Sequence, residues 1–116
     1  MVKTYEEEQT GRLSEREIKT LLTIFFRYIR DAYKQIRWEY DIVTDYGEIR
    51  TGYNAKIGKI RIGVPMKEKG IITIVISHND RGIGKQNFPV TEKSPRELGR
   101  LAKNMFKWVK QQMEKI

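Results

Sequence analysis

The stretch KIGKIRIGV, residues 56–64, decides the fold. Ile60, Ile62 and Val64 fall on one face of an extended chain, and Lys59, Arg61 and Gly63 fall on the other. A strand facing plain solvent usually carries Thr, Glu or Gln outward. Here the outward positions hold only cations and a glycine. Lys and Arg can hold phosphates, and a glycine leaves room for a flat base or a sugar to approach the backbone.

Alternation continues on both sides of this stretch. Ile36, Trp38, Tyr40 and Ile42 alternate with Arg37, Glu39 and Asp41, which predicts a strand over 36–44. DYGE (45–48) reads as a turn. Ile49, Thr51, Tyr53, Ala55 and Ile57 then alternate with Arg50, Gly52, Asn54 and Lys56, a second strand with the latter set expected outward. Gly58 separates it from the third strand, which ends at Pro65. MKEKG (66–70) is a loop, and IITIVISH (71–78), the most apolar and β-branched run, predicts a central strand. Residues 79–93 read as a long polar loop.

Helices flank this region. Ser14 opens a capping box, SERE, and Ile18, Leu21, Leu22, Phe25, Ile29 and Tyr33 form an apolar stripe, predicting a helix from Glu15 to about Gln35. Arg16, Lys19, Arg27, Arg30 and Lys34 lie opposite that stripe. A second capping box, SPRE, with Pro95 at the first helical position, starts a helix that runs to the C-terminus. Short connections favour antiparallel neighbours, because parallel ones need crossovers of about a dozen residues. The expectation is an α+β fold: a four-stranded antiparallel sheet between a long N-terminal helix and a C-terminal helix. Residues 1–13 form a flexible polar leader and 14–116 a single nucleic-acid-binding domain.

Composition narrows the function. The 116 residues contain no cysteine, which excludes disulfides and thiolate chemistry. No apolar run approaches the roughly 18 residues that span a bilayer. The first residues lack the apolar core of a signal peptide, so the cytoplasm is the expected compartment and no membrane partner is implied. Heavy use of Ile, Lys, Glu and Arg points to a hot-living source, in which surface charge also serves stability. The imbalance of sign is more telling. The chain has 23 Lys and Arg against 15 Asp and Glu. Residues 1–17 hold three of the cations and five of the carboxylates, which leaves 20 against 10 for the rest. A polyanionic partner follows from two cations per anion.

Arg50, Lys56, Lys59 and Arg61 are expected to track phosphates, with Tyr46, Tyr53 and Phe88 stacking bases. A second basic wall would comprise Arg81 and Lys85, from the glycine-containing RGIGKQNF, with Arg96, Arg100 and Lys103. Lys85 is followed by Gln86, so this is not a Walker A loop. In the last helix Arg96, Arg100, Lys103, Lys107 and Lys110 are spaced four, three, four, three, a single stripe with Glu97 outside it. Trp38, Tyr40 and Tyr53 admit the competing reading of core aromatics on the helix-facing side. Leu101, Met105, Trp108 and Gln112 make a heptad-like edge that predicts homo-oligomerisation through the C-terminal helix. The phosphate reading would be ended by Lys59 and Arg61 locked in pairs with neighbouring carboxylates beneath a covering helix.

Catalysis is not expected, and neither a metal nor another cofactor. His78 is the single histidine and reads as structural. Glu39, Asp41, Asp45 and Glu48 surround one hairpin, but Glu48-Ile49-Arg50 lacks the lysine of a nuclease E-x-K.

Two resemblances follow from these residues. The helix–strands–helix order, with cations opening the last helix (SPRELGRLAK), resembles a double-stranded-RNA-binding domain. It departs from that family in its long first helix, its extra strand, and bulky Met105, Phe106 and Trp108. The layout resembles more closely the ThermoDBP-type single-stranded DNA-binding proteins of hyperthermophilic archaea, through TGRLSEREI, a small antiparallel sheet and LAKNMFKWVKQQ. That resemblance covers nearly the whole chain and implies sequence-tolerant binding of single-stranded DNA. RNA is the alternative polymer, and an interaction protein whose charge serves only thermal stability is the alternative class.

Overall fold

The computed structural model describes residues 13–43, 47–65, 71–91 and 93–116, with the side chains of 41–43 outside that description. Ser14 begins the first helix as expected. Its hydroxyl accepts from the Glu17 backbone N–H at 3.2 Å, and the Glu17 carboxylate accepts from the Ser14 N–H at 2.7 Å. This helix, α1, spans Glu15–Ala32. It stops short of Gln35 because the Tyr33 carbonyl is taken by other donors. The Ile36 N–H reaches it at 3.2 Å and the Trp38 indole N–H at 3.3 Å. Leu13, expected in the polar leader, is buried in the core.

Five strands follow: β1 (Arg37–Val43), β2 (Gly47–Asn54), β3 (Gly58–Val64), β4 (Ile71–His78) and β5 (Arg81–Pro89). The final helix, α2, spans Pro95–Met113, capped by Ser94. The strands pair in chain order, every pair antiparallel, as one meander. The α+β class and the helix–sheet–helix order are therefore as the sequence predicts, with five strands in place of four.

The added strand is β5, read in the sequence as a loop. Asn79 and Asp80 both adopt positive φ, 50° and 69°, and join β4 to β5 in two residues, the backbone that a type I′ hairpin turn demands. Asn tolerates that region because its short side chain bonds locally. The Asn79 carboxamide oxygen accepts from the Lys59 N–H at 2.9 Å, and the Asn79 N–H donates to the Lys59 carbonyl at 2.8 Å. The turn is thereby pinned to β3. β5 is an edge strand, so its glycines, polar residues and terminal Pro89 carry little strand pattern.

Both helices lie on one face of the sheet. Ile60, Ile62 and Val64 of β3 and Ile72, Ile74 and Ile76 of β4 are buried beneath Leu21, Leu22, Phe25 and Ile29 of α1 and Leu98, Ala102, Met105 and Val109 of α2. Burying each large side chain contributes about 1.5–3 kcal/mol. All four residues proposed as an oligomerising edge of α2 pack within the chain, Leu101 as a half-buried residue against the core. Met105 and Gln112 are buried, and the Trp108 ring packs edge-on against Phe88 with centroids 6.2 Å apart. Among the described residues, no helix is long and apolar enough to cross a membrane.

Gly52 shows how tightly the β1 margin is packed. A Cβ at this position would lie 2.5 Å from the Ile36 side chain and 2.7 Å from the Trp38 ring. Gly52→Ala is therefore expected to destabilise the protein by about 1–3 kcal/mol, through overpacking. The check is a lower denaturant midpoint at unchanged m-value, together with a displaced Trp38 signal.

Candidate nucleic-acid interface

Cross-strand register determines which side chains share a face. Arg50 stands opposite Ile62 and Gly52 opposite Ile60. Since Ile60 and Ile62 face the helices, so do Arg50 and Gly52, and the expectation that they point outward is overturned. The cause is the β2–β3 turn. The Asn54 side-chain oxygen accepts from the N–H groups of Lys56 (2.9 Å) and Ile57 (3.1 Å), and Gly58 at φ 96° starts β3. This turn pairs Tyr53 with Lys59, whereas the sequence reading of β2 assumed the opposite parity.

The uncovered face has a different roster. Arg37 pairs with Tyr53, and Tyr53 with Lys59, giving one direct row across β1, β2 and β3. The next row is Glu39, Thr51, Arg61 and Ser77. Gly63, Val75 and Lys85 follow across β3 to β5. Tyr53 is 39% exposed, and the Arg37 guanidinium lies 5.6 Å from its ring centroid. A shallow depression of about 470 Å³ is lined by Arg37, Tyr53, Asn54, Ala55, Gly58 and Lys59. Lys56 is exposed in the adjoining turn. The gap at Gly63 is small: a Cβ there would meet Ile49 at an ordinary 3.6 Å.

Neither helix covers Lys59 or Arg61, but Lys59 has a carboxylate partner. Its Nζ lies 2.6 Å from Asp80. The Lys59 hydrogen bond and charge hold the Asp80 carboxyl below its ordinary range; slight desolvation opposes this, and Arg61 adds to it. A depressed pKa means that the ion pair is intact at neutral pH and is lost only as pH falls through that lowered value. Arg61, which has no ion pair among the described residues, is thus free of a carboxylate partner, and Lys59 is not. Glu39 also lies on this face, 3.6 Å from Arg37.

The remaining expected residues are dispersed. Arg81 is exposed at the head of β5, beside the turn, and Lys85 is exposed opposite Val75. Arg96, Arg100 and Lys103 lie on the exposed side of α2, in the helical layer, so they form no single wall with Lys85. Arg100 is 3.6 Å from Glu97 one turn away. Phe88 faces the helices against Trp108 and is not a free stacking platform. Tyr46 lies outside the described residues, as does Asp45.

Other expected groups are engaged locally. Glu48 shares the helix-facing side with Arg50, opposite to Glu39, so these two carboxylates do not converge. Glu48 instead takes the Tyr40 hydroxyl. Burial first, and then the charge and hydrogen bond of Glu48, raise the Tyr40 pKa above its ordinary value, against an opposing effect of Arg50. His78 has its Nε2 2.6 Å from the Ile57 carbonyl, a distance at which Nε2–H donates. Comparison with protein-family models, with curated proteins and with solved structures returns no match.

Arg37 and Asp80 are the two participants the sequence reading did not select. Arg37 was legible as the partner of Tyr53 once the Asn54 turn fixed register. Asp80 was legible from the Asn-Asp pair as a turn beside Lys59. Asp80→Asn should release Lys59 and strengthen polyanion binding by about two- to fivefold, the scale of a surface ion pair. Salt-titrated anisotropy with oligo-dT checks this, with Glu114→Gln as a charge-matched control that leaves affinity near wild type.

Proposed function

We propose that this protein binds single-stranded nucleic acid, DNA in the first instance, without catalysis and with little regard to sequence. The observation that carries the reading is the uncovered sheet face, crossed by the row Arg37–Tyr53–Lys59 with Arg61 beside it. An exposed ring backed by a guanidinium offers a stacking surface to any base, Arg61 is free to meet a phosphate, and Arg37 and Lys59 would exchange Glu39 and Asp80 for phosphates on either side. Ser77 and Thr73 lie on the same face, with Lys85 at the far edge beyond Ile49, Gly63 and Val75. A duplex is too wide and stiff to present unstacked bases to such a surface.

The layout shares this ligand class with the ThermoDBP-type proteins it resembles. Charge that serves thermal stability alone would favour interlocking ion pairs. Here Arg30–Asp31, Arg37–Glu39, Lys59–Asp80 and Arg100–Glu97 share no member. The exposed cations of α2 extend the positive field and would raise encounter rates with a polyanion.

Binding should fall steeply with salt, and oligo-dT should outcompete duplex DNA and double-stranded RNA at equal ionic strength. Replacing Lys59 and Arg61 together by Ala should lower the salt slope by about 1.4, at roughly 0.7 per phosphate contact on a single strand. Lys103 and Lys107, changed together to Ala, remove the same charge from the helical layer and should weaken binding less. Equal losses from the two double variants would reject the sheet face as the site. A preference for double-stranded RNA would favour the other family resemblance.

A further inference from the structure

A second cationic site lies on the opposite side of the β1 margin, between α1 and the sheet. Arg27 and Arg30 lie one turn apart on α1, and Arg50 rises from β2 below them. Together with Thr23, Phe26, Ile29 and Trp38 they line a cleft of about 270 Å³. No carboxylate is among the lining residues. Glu48, on the same face of the sheet, is committed to the Tyr40 hydroxyl. Arg30 meets only Asp31, at 3.9 Å and with both side chains largely exposed.

Arg50 is held rigidly in this cleft. Its guanidinium carbon lies 3.9 Å from the Tyr40 ring centroid and 4.8 Å from that of Phe26. Its Nε is buried and has no hydrogen-bond partner. Clamped between two rings, the side chain cannot swing away to satisfy that N–H. Three arginines line the cleft, and among the described residues only the exposed Asp31 stands against one of them, so a ligand that supplies negative oxygens would meet largely uncompensated positive charge.

We propose that this cleft binds a phosphate monoester carrying a flat aromatic group, that is, a nucleoside monophosphate unit. Guanidinium forks match phosphate oxygens bidentately, and three positive charges suit the dianion of a monoester better than the single charge of a phosphodiester. The wall formed by Phe26, Ile29 and Trp38 gives a base or sugar an apolar surface. The volume lies just below the usual range for small-molecule sites, which suits a phosphate with part of its nucleoside. The unit could be a free nucleotide or the phosphorylated end of a strand. The inference does not depend on the sheet-face reading, because the two sites share no residue.

Calorimetric titration of the full chain tests it with inorganic phosphate, dTMP and thymidine as probes, followed by short oligo-dT with and without a 5′-phosphate. dTMP should bind at least about tenfold more tightly than thymidine, a gap consistent with a charge-assisted phosphate contact. Arg27→Gln with Arg30→Gln should weaken dTMP about tenfold or more, with the thermal midpoint unchanged, because both side chains are exposed. Arg50→Lys retains the charge but loses the fork, and should also weaken dTMP. A preference for the 5′-phosphorylated strand assigns the site to strand ends; equal strand affinities alongside tight dTMP assign it to free nucleotides. Thymidine binding as well as dTMP, or a folded Arg27/Arg30 double variant with unchanged dTMP affinity, would overturn the proposal. The Lys59/Arg61 double variant should leave dTMP binding intact, which separates failure here from failure of the sheet face.

Discussion

The pairing of Tyr53 with Lys59 governs what the outer half of the sheet can do. Side chains alternate along a strand, so moving that pair by one residue would send every β2 side chain to the other face. The pair is set by a few hydrogen bonds: two to the Asn54 side chain at one end of the turn, and those of Asn79 to Lys59 at the other. The consequence is a division of labour between neighbours in sequence. Tyr53 faces out beside Lys59, while Arg50 and Gly52 face in beneath α1. A contiguous run of cationic residues thus serves two surfaces, separated by the thickness of one strand layer.

The same register explains how far the sequence could be read. Ile60, Ile62 and Val64, and the alternation in IITIVISH, identify the buried face without ambiguity, because apolar and polar positions there are sharply divided. β2 has no such division. Thr51 on the outer face is only 2% exposed, whereas Arg50 on the inner face reaches the margin and keeps part of its charge in solvent. In an outer strand the usual link between polarity and exposure breaks down, since a long Arg can snorkel past an aromatic pair. β5 escaped for a related reason: an edge strand needs only one set of ladder partners, so Gly, Asn and Gln are tolerated where a central strand would reject them. The N-caps of both helices were legible, because a cap depends on local chemistry and not on tertiary partners; the full capping box forms at Ser14–Glu17, whereas at the second helix Ser94 accepts from the Glu97 N–H and the Glu97 carboxylate lies against Arg100.

Charge count alone does not single out the proposed interface. The longest run of aligned cations lies on α2, where Arg96, Lys103 and Lys107 stand exposed in the helical layer. Lys110 leans over Phe106, which is itself stacked on Tyr28 of α1, so the ring contact at this edge serves the helix–helix seam. The sheet face has fewer cations but adds an exposed ring at the position where they meet. Asp80 tempers that surface: the turn that pins β4 to β3 also places a carboxylate against Lys59. The charge environment of Lys59 is thus coupled to the geometry of a two-residue turn.

At the β1 margin the packing departs from what stability alone would favour. A well-packed edge would place an aliphatic residue at position 50, under Phe26 and beside Trp38, and would leave no cleft. The chain instead inserts an Arg whose Nε finds no acceptor among the described residues, stacks it between two rings, and uses a glycine at position 52 to make room for the Trp38 ring. Leaving a donor of a charged group buried and unpaired costs about 1–3 kcal/mol, partly offset by the ring contacts. Such a cost in a chain otherwise built on six isoleucine and valine contacts across β3 and β4 is hard to account for as packing. The two rings that prevent Arg50 from relaxing also fix its guanidinium at the cleft, so that the part left accessible would be held in place for the anionic ligand proposed above.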